Sequence, residues 1–169
     1  MYRIVMLIML CPMLLDAQQS WDITAGILLQ KEHIGNSLDP SGQSSQITTG
    51  YQVGIVRHTI KNKQISMSWG LAVSKKHLWY VDLQQYWDLH LKGPVALQAG
   101  YLLGFKASEG RGSFIDPGLL LGLSYDIDIA RLQLQYHHGF NNLNGDLADS
   151  IPKRNRPIVI GIAVPIFEN

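Results

Sequence analysis

The residues of this chain able to do chemistry are acids, amides and histidines that recur at every second position. Asp82, Gln84, Asp88 and His90 share one parity. Gln98 and Lys106 share another, and so do Arg131, Gln133, Gln135 and His137. A β-strand has a side-chain period of two, so each set falls on one face. Carboxylates, imidazoles and amides on a common face suit an ion-pair and hydrogen-bond network, or a proton or ligand path. Ser66, Ser68 and Ser124 fall on the same side as His90 and His137. A nucleophilic site also needs base and orienting acid within hydrogen-bond reach, and no motif surrounds any of these serines. His137 and His138 are adjacent, so they point to opposite faces and cannot share a metal ion. Glu109–Ser113 is glycine-rich but lacks the strand–loop–helix setting of a phosphate loop. No catalytic residue, cofactor or metal site is expected, and the reading is non-enzymatic.

The elements that carry these residues read as about eight segments of alternating apolar character. The expected strands are 21–30, 47–60, 64–74, 78–91, 95–106, 115–125, 130–140 and 157–167. Three links are short and turn-rich: Lys61-Asn62-Lys63, Lys92-Gly93-Pro94 and Asp126-Ile127-Asp128. Three are long and polar: 31–46, 107–114 and 141–156. Short and long links alternate, as turns and outer loops do in bacterial barrels. Lys75-Lys76-His77 is the exception, a short link where an outer loop belongs. Its cations are suited to lipopolysaccharide phosphates or to plain solvation.

The N-terminus reads as a secretion signal over residues 1–17, with the mature domain at 18–169. Arg3 supplies positive charge, 4–15 is apolar, and Ala17 is the small residue at the cleavage point. That apolar run is too short to span a bilayer as a helix. Cys11, the sole cysteine, lies within it, so the mature chain has no disulfide or thiolate chemistry. The net charge of +1 argues against a nucleic-acid partner.

The opposite faces are apolar. Leu97 and Leu103 share one, as do Leu119, Leu121 and Leu123, then Leu132 and Leu134, then Ile158, Ile160, Ile162 and Val164. Ile166 continues the last set, while Val159, Gly161, Ala163 and Pro165 take the other side. In a soluble sandwich an apolar face points inward; in a membrane barrel it points to lipid. Three features favour lipid. The apolar faces are nearly unbroken. Trp21, Trp69, Trp79, Trp87, Tyr101, Phe105, Tyr125 and Phe140 lie towards strand ends, as an interfacial girdle does. The second faces are rich in Gly and Ser, which suits a crowded interior. An eight-stranded barrel is about wide enough for side chains to fill. The expected lumen network is Asp82, Asp88, His90, Gln98, Lys106, Arg131, Gln133, Gln135 and His137, with Asp88 and His90 near Arg131, and Asp82 near Lys106 and His137.

Two stretches resemble the PorT-like family of small outer-membrane β-barrels. One is YVDLQQYWDLHLKGPVALQAGYLLGF, with its Tyr-x-acid-x strand, short turn and aromatic-Leu-Leu-Gly end. The other is DPGLLLGLSYDIDIARLQLQYHHGFNNLN, with Asp-x-Gly at its start and Tyr-x-x-Gly-Phe near its end. Gln84-Gln85 departs from the family's aliphatic-Pro pair. The resemblance implies eight strands and no assigned activity.

Together these readings give an all-β, closed, antiparallel up-and-down transmembrane barrel in the cell outer membrane. Its partners would be outer-membrane lipid and an envelope protein met through the outer loops. Its role would be structural, adhesive or as one piece of an envelope assembly. The alternative is a secreted or periplasmic lipocalin-like barrel holding an apolar ligand.

Overall fold

Wherever branched or aromatic residues alternate with small or polar ones, the computed structural model forms a strand. The strands are β1 (Gln19–Ile34), β2 (Ser44–Ile60), β3 (Ile65–Lys75), β4 (Trp79–His90), β5 (Val95–Lys106), β6 (Ile115–Ile127), β7 (Ala130–Gly139) and β8 (Ile158–Glu168). The structure describes residues 19–34, 44–60, 64–75, 79–107, 115–141 and 156–168. The expected leader, Cys11, Lys61-Asn62-Lys63, Lys76-His77 and most of the three long links lie outside the described residues. Among the described residues no helix is long and apolar enough to cross a membrane.

Each strand pairs antiparallel with the next, and β1 pairs with β8 to close an eight-stranded barrel. Closure leaves no free edge, so the backbone ladder runs all the way round. Ser20 lies opposite Glu168, which brings the first and last strands to the same end. The β2–β3, β4–β5 and β6–β7 links share that end; we call it the terminal end, and the opposite one the loop end.

Two sequence readings need correction. First, β1 and β2 stay paired out to Ile34 and Ser44, so 31–34 and 44–46 of the link expected at 31–46 belong to the ladder. Second, β6 runs to Ile127, which lies opposite Ala130, so the turn is Asp128-Ile129 rather than Asp126-Ile127-Asp128. Pro165 keeps the inward side of Val159 and Ala163, paired with the buried Asp22 and lining the open mouth of the lumen beside it. Trp21 pairs with Phe167 and Asp22 with Pro165, leaving Ile166 as an extra residue. This bulge leaves Pro165, Ile166 and Phe167 all exposed. A proline, lacking an N–H, is tolerated at such a break.

Glycine matters most at two positions. Gly93, in the β4–β5 turn, has φ of 88°, a left-handed conformation that a side chain disfavours. Gly100 lies opposite Tyr86, whose ring fills the lumen and is 1% exposed. A Cβ at Gly100 would sit 2.1 Å from the Gln85 carbonyl oxygen and 2.5 Å from the Tyr86 Cα. The clash is with backbone, so no side-chain rotation relieves it. Gly100→Ala is expected to lower the unfolding free energy by about 1–3 kcal/mol, the range for overpacking. Urea titration of the refolded barrel checks this; an unchanged midpoint would show that β4 and β5 are free to separate there.

Candidate functional site

The inward positions converge on a buried polar network. It starts at the terminal end with Asp22 on β1. His58 Nε2 lies 2.9 Å from Asp22 Oδ2, and His58 Nδ1 lies 2.7 Å from Ser68 Oγ. Ser68 donates to Asp88 Oδ2 at 2.9 Å, and Ser66 donates to the same oxygen at 3.4 Å. Gln98 Nε2 donates to Asp88 Oδ1 at 2.8 Å. Gln135 Nε2 donates to Gln98 Oε1 at 3.0 Å, and Gln135 Oε1 lies 3.3 Å from His137 Nε2. The chain of contacts therefore crosses the lumen from β1 to β7. Asp88 sits at its centre, fully buried, accepting from three side chains. Buried charge is tolerable only with such hydrogen bonding.

Ser68, His58 and Asp22 have the connectivity of a hydrolytic triad. The setting denies the chemistry. Ser68 is fully buried and its hydroxyl already serves Asp88, while strand backbone N–H groups are held in the ladder and offer no oxyanion site. Sequence reasoning placed Ser68 inward but missed Asp22 and His58. The signal was present: His58 shares parity with Gln52 and Val56 on β2, and Asp22 alternates with the outward Trp21 and Ile23.

The remaining expected lumen residues fall as follows. Asp82 accepts from Ser74 Oγ at 2.6 Å, rather than meeting His137. It faces Gly104, where a Cβ would come within 2.9 Å of its Oδ1. Lys106, Gln133 and His137 are buried. Arg131 does not bond Asp88 or His90. Its Nε donates to Asp126 Oδ1 at 2.5 Å across the β6–β7 turn. His90 lies at the terminal mouth, 3.0 Å from Ser66 Oγ. A cavity of about 200 Å³ opens there, between Asp22, His58, His90, Asp126 and Arg131. Ser124 Oγ, Gln84 Nε2 and Gln133 Nε2 are buried without a protein partner among the described residues.

The outer wall is the inverse of the lumen. Leu97, Leu119, Leu121, Leu123, Leu132, Leu134, Ile158, Ile160, Ile162 and Val164 are exposed, and Leu103 is half-buried. Trp21, Trp79, Phe105, Tyr125 and Phe140 lie near strand ends, but Trp69 and Tyr101 stand mid-strand. Met67 faces outward yet is covered, with Gln85 Nε2 3.4 Å from its sulfur. Gln85 is itself outward; Tyr101 OH donates to its Oε1. The apolar band has unequal height. On β5 no charged residue faces out between Val95 and Phe105. On β2 and β3, Arg57 opposite Trp69 and Lys75 opposite Tyr51 bracket just Val53, Ile55, Leu71 and Val73.

Comparison with known proteins supports the fold. The Yersinia pestis outer membrane protein Ail in a phospholipid bilayer nanodisc superposes with a TM-score of 0.54 and 9% identity, covering 87% of this chain and 99% of that one. Ail in complex with the heparin analogue sucrose octasulfate gives 0.53 and 11% identity, covering 89% and 99%. A de novo designed transmembrane β-barrel gives 0.52 and 11% identity, covering 87% and 95%. No protein-family model and no curated protein matches the sequence. These likenesses establish a closed eight-stranded antiparallel barrel of the type found in small outer-membrane proteins.

The network predicts unequal costs. Asp88→Leu strands the Ser66, Ser68 and Gln98 donors and should lower the unfolding free energy by about 3 kcal/mol. Asp126→Asn, at the half-exposed mouth, should cost less than about 1 kcal/mol. Equal losses in denaturant titrations would mean that the lumen is not organised around Asp88.

Proposed function

We propose that this chain is an exported, integral outer-membrane β-barrel without enzymatic activity. It serves as a structural or adhesive element, or as a component of an envelope assembly. The observation that carries the reading is the inversion of polarity. Asp22, Asp82, Asp88, Asp116 and Lys106 are buried inside, while about ten leucine, isoleucine and valine side chains of β5 to β8 stand exposed outside. A lipocalin-like binder of an apolar ligand needs the opposite arrangement, with its apolar side chains around the ligand. The terminal end, with its tight links and both termini, is the periplasmic side in this reading.

The PorT-like resemblance agrees with the strand count and with the aliphatic closing strand, and it remains the finer family proposal. Recognition belongs to the loop end, because loops on a rigid scaffold carry binding. The adhesive reading draws its support from fold likeness to Ail, which is an analogy of architecture.

Expression followed by envelope fractionation tests the reading. The chain is expected in outer membranes, with a gel shift between unheated and boiled samples. Leu121→Arg and Ile160→Arg should each impair insertion by about 2–4 kcal/mol, the cost of Arg at mid-bilayer depth on a barrel's lipid face. A chain that stays soluble without detergent, or variants that insert normally, would overturn it.

A further inference from the structure

We propose that Arg57 on the outer wall is the centre of a binding site for the phosphodiester headgroup of a phospholipid in the periplasmic leaflet. The inference rests on the outer-membrane reading above and adds a specific lipid contact to it.

Arg57 belongs to the outward parity of β2, with Tyr51, Val53 and Ile55, all of which are exposed. It lies opposite Trp21 on β1 and opposite Trp69 on β3. Its guanidinium carbon is 5.9 Å from the Trp21 ring centroid. No carboxylate or hydrogen-bond acceptor meets its side chain among the described residues; its Nε and the neighbouring Trp69 Nε1 are covered donors without a partner, and Arg57 as a whole is half-buried. The nearby described acids Asp22 and Asp88 are engaged on the other face, Asp22 with His58, and Asp88 with Ser66, Ser68 and Gln98. The wall thus carries a half-buried guanidinium that has no protein acceptor among the described residues.

The setting selects the ligand. Arg57 is three residues from the end of β2, at the terminal end. At that height an outward charge meets lipid headgroups rather than acyl chains. A guanidinium matches phosphate oxygens with two parallel N–H donors. Trp21, near the start of β1, suits the same interface. A free phosphate ion would gain nothing from the apolar surround of Val53, Ile55 and Leu71, whereas a phospholipid lays its chains on it. Lys75, whose Nζ is 5.1 Å from the Trp79 ring centroid, stands at the loop end of the same two strands and serves as an internal control.

The test is lipid retention by the barrel extracted from outer membranes into nonionic detergent, with dioleoylphosphatidylglycerol added and bound lipid counted by native mass spectrometry. The wild-type barrel is expected to retain one such lipid and not dioleoylglycerol, which lacks the phosphate. Arg57→Gln should reduce retention about fivefold or more, and Lys75→Gln should change it less than about twofold. Arg57→Lys keeps the charge and loses the paired donors; it should fall between them, and it decides the question where Arg57→Gln does not fold. Retention unchanged in the folded Arg57 variants, or equal retention of dioleoylglycerol, would overturn the site and leave the membrane reading intact. A wild-type chain without a heat-dependent gel shift would overturn both.

Discussion

The pairing of β8 with β1 is the constraint on which the rest of this molecule depends. Until that seam closes, two strand edges carry unpaired backbone groups and the inner faces have nothing to enclose. Once it closes, backbone hydrogen bonds are complete around the wall and the two faces are separated for good. The seam is also where the ladder is irregular. Trp21, Asp22 and the extra Ile166 absorb a bulge beside Pro165. Asp22, inward by the alternation of β1, stands at this bulge and also meets His58, so the closure and the start of the polar network share a residue.

Inside, the network answers a problem of volume as much as of charge. A narrow barrel must be filled, and its filling must satisfy itself. Tyr86 supplies bulk, Gly100 and Gly104 give way to it and to Asp82, and Asp88 gathers three donors. The apparent triad of Ser68, His58 and Asp22 is one segment of this filling. Its resemblance to a hydrolase site comes from the shared rule that a buried imidazole needs a partner at each nitrogen.

Much of this was legible in the sequence because the strand period is exact and one error of parity would invert a whole face. Ile158 to Val164 and Leu119 to Leu123 announced their faces directly. The alternation of short and long links gave the hairpin order. What could not be read was pairing across the lumen. Arg131 was matched by height to Asp88, but the turn at Asp128-Ile129 brings Asp126 closer. His58 and Asp22 lie far apart in the chain and meet only when β1 and β2 register. Gln85 was invisible as an outward residue with a function, since its partners Met67 and Tyr101 come from two other strands.

The unequal apolar band has a mechanical corollary. Across the β2–β3 pair the outward cations Arg57 and Lys75 stand six register positions apart, about 20 Å along the strands at 3.3 Å per residue, while β5 stays free of charge from Val95 to Phe105. A bilayer of uniform thickness cannot match both flanks of an upright cylinder. Either the barrel leans towards its β2–β3 side or the lipids there shorten and disorder. Both responses make one flank a soft spot in the membrane. Neighbouring proteins and thin lipid patches would then collect preferentially along β2 and β3, giving a round barrel a preferred direction in the plane of the membrane.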